Sequence, residues 1–419
     1  MSSRGNLDAI VVGAGAIGSA LGLALVRDGF EVAIVEAREP TSWRAEDDVD
    51  LRVVALAPDA RRLLDDLDVW PSIVTSRASP YRHMRVWDAL APGELAFDSA
   101  DRGEAALGWI VENKLIQHVL WKALTDFSAR SGGSGASRDV IAPKANSAAA
   151  ATVPRIACPA AVTKIENTAD AVVAILADGT RLRGKLLIAA DGAVSSIRTK
   201  LGIAFDGRDY GQRAVVAHVT TERPHQGVAW QRFQPGGPLA FLPLADGRCS
   251  IVWSLQNAEA ARILALDDAA FRAELGCAFD FSLGAITATT PRAVFPLRLR
   301  LAEKYVVGRC VLAGDAAHVV HPLAGQGMNL GFRDVTCLHR VLRDARGRGS
   351  DVGAAHVLRR YERERRSESV LAARSFDTIE RVFDSNILPL ALLRGAALGL
   401  VDRLTPLKHA LAATAAGRG

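Results

Sequence analysis

The feature that most constrains this chain is a glycine-spaced turn near its amino terminus. The run "DAIVVGAGAIG" sets Gly13, Gly15 and Gly18 in the spacing GxGxxG, between a predicted β-strand and a predicted helix. Gly13 permits a tight turn, Gly15 lets a pyrophosphate approach the backbone, and Gly18 lets the helix pack closely on the strand. A second predicted strand, "EVAIVEAR", ends in Glu36, where an acid can bind an adenosine ribose. Together these elements predict a domain that binds NAD or FAD; the alternative is a glycine-rich helix–sheet contact without a ligand.

Length and composition predict a globular protein of two or more interleaved domains, because 419 residues with 49% hydrophobic side chains can bury a large core. Basic and acidic residues nearly balance, at 51 and 46, and the basic ones cluster only in "RRYERERR", from Arg359 to Arg366. We interpret that cluster as a solvated helix face and expect no nucleic-acid partner. The five cysteines form no CxxC pair, which favours a reduced compartment and buried free thiols.

Two apolar stretches raise the question of membrane contact. The 18 residues from Ala9 to Val26 carry no charge and reach the lower limit for a membrane span, but their glycines and their strand–turn–helix pattern favour the dinucleotide fold. The run "ILPLALLRGAALGLVDRLTPLKHALAAT" predicts a pair of amphipathic helices that pack on their own domain or on a partner subunit, with membrane-surface contact as the alternative. We expect no targeting segment and a cytoplasmic protein, with peripheral contact at the inner face of the membrane left open.

The stretch "GDAAHVVHPLAGQGMNLGFRD", from Gly314 to Asp334, permits two interpretations. Asp315, His318 and His321 supply the two imidazoles and one carboxylate of a non-haem iron site. The glycines instead favour a seat for a cofactor that lies against bare backbone. The iron interpretation leaves the amino-terminal motif unexplained, so we expect no metal.

Three separated motifs resemble those of the FAD-dependent aromatic hydroxylases related to p-hydroxybenzoate hydroxylase. They are "GAGAIG" with Glu36, "AADGAVSSIR", and the stretch from Gly314 to Asp334. Within that group the chain is most similar to the ubiquinone-biosynthesis hydroxylases, through "VDLRVVAL", "LGWIVENKLIQHVLW", "YGQRAVVAHV" and "RSFDTIERVF". The resemblance covers nearly the whole chain, apart from a Gly-, Ser- and Ala-rich segment from Arg130 to Arg155 that we interpret as a flexible surface insertion.

The resemblance implies an α/β fold in which a Rossmann-like FAD-binding domain is interleaved with an antiparallel-sheet substrate domain and followed by carboxy-terminal helices. The FAD-binding domain would comprise residues 1–75, 105–202 and 296–345. The substrate domain would comprise residues 76–104 and 203–295, and the helical region residues 346–419.

The resemblance also implies cofactor contacts, residue by residue. The ADP half of FAD would be held by Gly13, Gly15, Gly18 and Glu36, with the backbone of Val162 beside the adenine. The pyrophosphate and ribitol would be approached by Arg52, Asn113, Gln117 and Asp315. The isoalloxazine ring would lie along Gly325, Gln326, Gly327, Met328 and Asn329, after a chain direction fixed by Pro322. Asp191 and Arg198 match a motif that serves both FAD and the nicotinamide nucleotide.

The reaction that the resemblance implies is hydroxylation of a polyprenylated phenol in ubiquinone biosynthesis. NAD(P)H would act as a transient electron donor, and O2 would react with the reduced flavin to give a C4a-hydroperoxide. Since no second Gly-rich βαβ unit follows, we expect the nicotinamide to dock only transiently. Trp230, Phe233 and Phe241, at roughly alternating spacing in the predicted substrate sheet, would line the substrate pocket, although an ordinary core is the alternative. No tyrosine pair of the kind that activates p-hydroxybenzoate is recognisable, so a small charged benzoate is not expected.

Two other functions remain open from the sequence. A flavin monooxygenase of a soluble aromatic or xenobiotic substrate would share the fold and the cofactor. A non-catalytic flavoprotein could instead scaffold a biosynthetic complex. The expected partners are a hydrophobic small molecule and either further copies of the chain or a quinone-biosynthesis complex.

Overall fold

The amino-terminal motif folds as a strand, a turn and a helix in a computed structural model, which describes residues 6–90, 93–132, 152–319 and 326–384. The first strand spans Leu7–Val12 and the first helix Ala16–Arg27, and nearly every side chain of both is buried. The uncharged run from Ala9 to Val26 is therefore the core of a sheet and its covering helix. Among the described residues no helix is both long and apolar enough to cross a bilayer.

The strands and helices are numbered here in chain order. The strands are β1 Leu7–Val12, β2 Val32–Val35, β3 Val53–Leu56, β4 Ala78–Tyr81, β5 His83–Asp88, β6 Glu94–Asp98, β7 Gly108–Glu112, β8 Arg155–Ala157, β9 Val162–Asn167, β10 Val172–Leu176, β11 Arg181–Ala189, β12 Phe205–Thr221, β13 Val228–Phe233, β14 Leu239–Pro243, β15 Cys249–Gln256, β16 Ile286–Thr289, β17 Ala293–Ala302, β18 Val306–Val307, β19 Cys310–Leu312 and β20 His318–Val319. The helices are α1 Ala16–Arg27, α2 Pro58–Asp66, α3 Trp70–Arg77, α4 Asn113–Gly132, α5 Ser196–Lys200, α6 Asn257–Ala265, α7 Asp268–Ala278, α8 Gln326–Gly347 and α9 Ala355–Asp384. Single 3₁₀ turns span Ala100–Arg102 and Gly314–Ala316.

The first sheet has the strand order β18-β19-β11-β1-β2-β8, and β10 and β9 extend it from β11. Its central strands β19, β11, β1, β2 and β8 run parallel, and their apolar residues are buried because helices such as α1, α4 and α8 pack together over the sheet. Val12 pairs with both Ala189 and Val35, so the carboxyl ends of three strands meet at one edge. Ligands of open α/β sheets bind at such an edge.

A second, mainly antiparallel sheet has the order β20-β17-β12-β15-β14-β13-β5-β6, with β16 paired to β12. Helices α6 and α7 cover one of its faces. The small sheet β3-β7-β4 packs against the other face, where Ala55 and Ile110 contact Ala229, Ala240 and Leu242. The second sheet thus has one face buried under its own helices and one face turned toward the FAD-binding part of the chain.

The chain passes back and forth between the two large sheets, as an interleaved arrangement requires. Strand β17 crosses a predicted domain limit, since it continues the second sheet from residue 293 to residue 302. Strand β4 lies wholly within the predicted substrate segment 76–104 but pairs with β7 in the small sheet. No break in composition marks the points where the chain changes sheets, so these limits could not be placed from the sequence. The division into three domains stays a prediction.

Helix α9 follows α8 in the chain and packs on it. The interpretation of Arg359 to Arg366 as one solvated face is wrong in part, since Tyr361 and Arg365 are buried. The predicted amphipathic pair after residue 384 and most of the predicted insertion, residues 133–151, lie outside the described residues. All five cysteines are free thiols, but Cys277 is exposed rather than buried.

Candidate cofactor site

The three glycines of the amino-terminal turn have three different surroundings. Gly13 has a positive φ of 102°, and a Cβ there would lie 2.3 Å from the carbonyl oxygen of Ala190. A Cβ on Gly18 would lie 1.9 Å from the carbonyl oxygen of Gly13, so these two glycines allow backbone to meet backbone. A Cβ on Gly15 would have no atom within 4 Å. The open space therefore lies in front of Gly15, where a pyrophosphate needs it.

Helix α1 points its amino end at that space. Gly15 is its N-cap and offers no side-chain acceptor, so the first N–H groups of the helix keep their hydrogens for a ligand. Those N–H groups and the helix dipole attract anions. Glu36, at the end of β2, accepts hydrogen bonds from the backbone N–H groups of Ala14 and Arg38, and the Gln117 side chain donates to the carbonyl of Ala14 at 3.4 Å. The predicted ligands Gly15, Glu36 and Gln117 thus converge on one turn.

Asp191 and Arg198 form the wall next to this turn. The Asp191 carboxylate accepts from the hydroxyl of Ser195 and from the backbone N–H of Ile197 at 3.1 Å, which caps the short helix α5. The buried Arg198 guanidinium donates to the carbonyl of Ala316 at 3.4 Å and lies 3.7 Å from the ring centre of Phe205. Asp191 fixes the start of α5 and Arg198 connects α5 to the turn of residues 314–316, and a direct contact of either side chain with a nucleotide stays a prediction.

Asp315 follows β19 in the 3₁₀ turn of residues 314–316. Its side chain is exposed to solvent although protein surrounds it on most sides. The surrounding protein raises the pKa of the Asp315 carboxyl, and His318 and Arg52 partly oppose that rise. The carbonyl of Arg52 accepts from the backbone N–H of Asn113 at 2.9 Å, which brings a third predicted ligand to this region. An accessible acid that protein atoms crowd is suited to accept hydrogen bonds from a polyol such as ribitol.

A buried carboxylate braces this turn from behind. Asp334, on α8, accepts from the backbone N–H of Gly314 at 2.8 Å, from Nε2 of His318 at 2.7 Å and from Nε of Arg365 at 2.7 Å. Burial alone would raise the pKa of Asp334, but His318 and Arg365 outweigh it and lower the pKa below its usual value. Arg365 also pairs with Glu368. Asp334 therefore connects the turn that carries Asp315 to both α8 and α9.

The role of Asp334 as a hub that joins the turn of residues 314–316, α8 and α9 was missed from the sequence. There Asp334 was only the last residue of the motif that begins at Gly314. The only signals were an acid in a helical segment and an arginine-rich segment downstream, and neither signal identifies its partner. The hub also bears on the iron interpretation, because His318 already donates to Asp334 through Nε2. His321 lies outside the described residues. Among the residues that are described, no group of three His, Cys, Asp or Glu side chains is placed to hold a metal.

The start of α8 is held in place by Asn329. Its side-chain amide donates to the carbonyl of Ala55 at 2.8 Å and accepts from the backbone N–H of Ala57 at 2.9 Å, and it is buried. Met328 packs on the main core, and a Cβ on Gly327 would have no atom within 4 Å. Pro322 and Gly325 lie outside the described residues, and Gln326 begins the helix. Contact of residues 326–329 and of the buried Val162 with FAD stays a prediction.

The predicted substrate pocket divides between the two faces of the second sheet. Trp230 and Phe241 are register partners on the face that α6 and α7 cover, and the Phe241 ring is stacked on Phe279 with 3.8 Å between ring centres. These contacts are those of an ordinary core, which was the alternative left open by the sequence. Phe233 lies on the opposite face, with Val86 and Leu95. The three rings therefore do not share one face, because residues three apart on a strand point in opposite directions, and alternation alone does not show which face the helices cover.

The face toward the FAD-binding part is lined by small and aliphatic side chains. They are Ala214, Val216, Ala240, Leu242 and Val252, with Leu51, Phe295 and Leu297 packed among them. Two polar groups interrupt this lining. His218 is buried and donates from Nε2 to the carbonyl of Asp50 at 3.1 Å, and its cross-strand partner Ser250 is also buried. Burial lowers the pKa of His218, which therefore stays neutral, and Nδ1 is left as an acceptor.

Comparison with known proteins identifies the family. Residues 6–374 match the family model described as an FAD binding domain. The chain belongs to this family. It is 35% identical to ubiquinone hydroxylase UbiL of Rhodospirillum rubrum, with 96% of this chain and 87% of that protein covered. It is 34% identical to 3-demethoxyubiquinol 3-hydroxylase of Escherichia coli, with 95% of each chain covered.

A solved structure shows the same fold. The p-nitrophenol 4-monooxygenase PnpA from Pseudomonas putida has a TM-score of 0.74 and 19% identity, with 99% of this chain and 98% of that chain covered. The predicted family and fold class, and FAD as the cofactor, are confirmed. The chain is an FAD-dependent aromatic hydroxylase, and NAD as the ligand of the amino-terminal turn is set aside. The glycine turn, the free end of α1 and the converging acids fit this cofactor.

Proposed function

We propose that this protein hydroxylates the aromatic ring of a polyprenylated phenol in ubiquinone biosynthesis, with FAD, NAD(P)H and O2. Support comes from relatives whose names state hydroxylation of ubiquinone precursors and whose similarity extends over at least 95% of this chain. The proposed setting is the cytoplasm, with peripheral contact at the inner face of the membrane. The proposed partners are further copies of this chain or a quinone-biosynthesis complex.

The observation that carries the proposal is the apolar face of the second sheet. Ala214, Val216, Ala240, Leu242 and Val252 are uncharged and lie on one face of the sheet, where the small sheet already covers Ala240 and Leu242. An unsubstituted aliphatic chain gains roughly 0.8 kcal/mol for each CH2 group that it buries on such a surface. A charged benzoate would find no cation at these positions. The face is therefore suited to a prenylated ring rather than to an aromatic acid.

The polar pair on this face gives the ring an orientation. Neutral His218 offers Nδ1 as an acceptor, and the hydroxyl of Ser250 has no hydrogen-bond partner among the described residues. A phenol hydroxyl between them could donate to Nδ1 and accept from Ser250. Leaving such buried groups unpaired costs about 1–3 kcal/mol each, so a ring without the hydroxyl would bind more weakly. We therefore assign the pair to recognition of the ring hydroxyl.

FAD, when bound, supplies the electron transfer and oxygen activation that amino-acid side chains lack. The protein supplies binding and orientation. The amino end of α1 would hold the pyrophosphate, Glu36 the adenosine ribose, and Asp315 the ribitol. The apolar face of the second sheet would exclude water from the bound ring.

The test is complementation of defined quinone-hydroxylase deletion strains, with mass spectrometry of the quinone intermediates. Restored ubiquinone, together with disappearance of one accumulated prenylated phenol, is the expected result and identifies the ring carbon that is hydroxylated. A Gly15→Val variant, which folds but has no room for a pyrophosphate, is the matched control. Failure in every strain, combined with turnover of small soluble phenols by the purified protein, would establish the alternative monooxygenase of a soluble aromatic or xenobiotic. NAD(P)H oxidation that responds to no ring substrate would favour a scaffold.

A further inference from the structure

A row of arginines follows one side of α9, away from the hub at Asp334. The row comprises Arg359, Arg363, Arg366 and Arg374, and Val370 lies in the same stripe. These positions recur every three or four residues and so share one helix face. With a rise of 1.5 Å per residue the row is roughly 22 Å long. It lines a groove of about 790 Å³, which is also lined by Glu362 of the same helix and by Glu303. We call this the arginine groove.

The groove carries a net positive charge that its own acids do not neutralise. The carboxylate of Glu362 accepts from the backbone N–H groups of Tyr305 and Val306, at 2.9 Å and 3.2 Å, and so serves the fold. Arg363 and Arg366 are exposed, and neither forms an ion pair with any residue that the structure describes. By contrast, the neighbouring Arg365 is buried against Asp334. The same short sequence therefore separates one structural arginine from a row that faces outward.

Two apolar residues interrupt the arginine row between Arg366 and Arg374. Val370 is half-buried, and Leu371 is 64% exposed. A helix face that combines arginines with an exposed leucine matches a bilayer interface, where anionic headgroups lie next to acyl chains. Free phosphate would not contact a row of this length. Nucleic acid offers no apolar partner for the exposed Leu371, so the apolar part of the groove favours a bilayer.

We propose that the arginine groove docks this protein on a bilayer that contains anionic phospholipid. The inference rests on the proposed function, because a polyprenylated phenol resides in membranes and its hydroxylase has to reach it there. Each arginine near an anionic surface contributes enough binding free energy for about a five-fold change in affinity. Loss of three arginines is then expected to weaken binding on the order of 100-fold.

The experiment is vesicle flotation of the full-length holoprotein. The vesicles are pure phosphatidylcholine or phosphatidylcholine mixed with phosphatidylglycerol. The test variant combines Arg359→Gln, Arg363→Gln and Arg366→Gln. The control variant removes three exposed arginines elsewhere, through Arg62→Gln, Arg183→Gln and Arg348→Gln. Melting temperature and flavin content are measured for each variant, and only those that match the wild type are compared.

We expect the wild type and the control variant to float with the anionic vesicles, to detach as salt rises, and to leave pure phosphatidylcholine unbound. The test variant is expected to lose the binding. Equal binding by test variant and wild type, or release of the wild type by inorganic phosphate at matched ionic strength, overturns the inference. Binding of duplex DNA without binding of vesicles overturns it in favour of a nucleic-acid surface.

Vesicle binding needs no turnover, so its outcome is separate from that of the complementation test. A protein that complements a deletion strain but binds no vesicles overturns this inference alone. A protein that binds vesicles through the arginine groove but complements no strain overturns the proposed function alone.

Discussion

Replacement of Asp334 by asparagine should loosen the turn of residues 314–316, which we call the cofactor turn, and should also destabilise the fold. The change preserves side-chain shape but removes the negative charge that faces His318 and Arg365. The side-chain NH2 group of asparagine would also face one of the groups that now donate to Asp334, and two donors cannot bond to each other. Breaking a buried ion pair by removing one partner costs about 3–5 kcal/mol. Arg365 keeps Glu368 as a second partner, so we expect the lower end, about 3 kcal/mol of unfolding free energy.

The effect on FAD follows from the bond between Asp334 and the backbone N–H of Gly314. A hydrogen bond to a charged group contributes about 1.5–3 kcal/mol, and this one fixes the turn that presents Asp315. If that amount is lost from the bound state, the Kd for FAD rises roughly 10- to 100-fold. Fluorescence titration of apoprotein with FAD measures the Kd, and urea denaturation of the apoprotein measures the stability.

Asp351→Asn is the control, since Asp351 also pairs with a largely buried arginine, Arg309, but contacts no part of the cofactor turn. It should leave the Kd for FAD unchanged. The pKa of Asp334 is lowered in the folded protein, so its stabilisation is complete above its unfolded pKa and is lost as the pH falls through the folded value. The gap in stability between wild type and Asp334→Asn should therefore narrow in acid. An unchanged FAD affinity in Asp334→Asn, or a gap that is constant with pH, would refute the hub.

Three further predictions address the amino-terminal glycine turn, Asp315 and the two faces of the second sheet. Gly15→Val should give a folded apoprotein without FAD. Gly18→Ala should fail to fold, because its Cβ would lie 1.9 Å from a backbone oxygen. Circular dichroism measures folding in each variant, and flavin absorbance measures bound FAD. Asp315→Asn should lose FAD yet leave the apoprotein at least as stable as the wild type. The raised folded pKa makes ionisation of Asp315 a cost that develops as the pH rises from its unfolded to its folded pKa and is constant above that, and thermal melts of apoprotein over a pH series check this. Phe241→Ala should cost about 3–5 kcal/mol of stability with little effect on KM, and Val252→Trp should raise KM and leave FAD binding intact; denaturation and steady-state kinetics separate these effects.

The elements with a local cause were predictable from the sequence. Gly13, Gly18 and Glu36 occupy positions that strand and helix geometry fixes within some 30 residues, so their arrangement follows from the motif. The interleaved pair of sheets followed from the resemblance, because strand order depends on pairings between residues far apart in the chain. The family and the cofactor were predicted for the same reason.

Contacts between distant segments could not be predicted. Arg365 has the same composition around it as Arg363 and Arg366, and only the packing of α9 on α8 places it against Asp334. Trp230 and Phe241 alternate as pocket residues do, and the helices that cover them lie later in the chain. In both cases periodicity identifies a face, but what covers that face is decided by tertiary structure.

The position of β1 between β11 and β2 also determines when the protein can acquire its cofactor during synthesis. β1 leaves the ribosome first, but β11 ends at Ala189, and the turn that carries Asp315 follows β19. Asp334 and Arg365, which brace that turn, emerge later still. A nascent chain therefore exposes an incomplete flavin seat until most of the protein has been translated. We therefore expect flavin loading to be a late event in biogenesis, and a chain that stops before residue 365 should not retain FAD even with the amino-terminal motif intact.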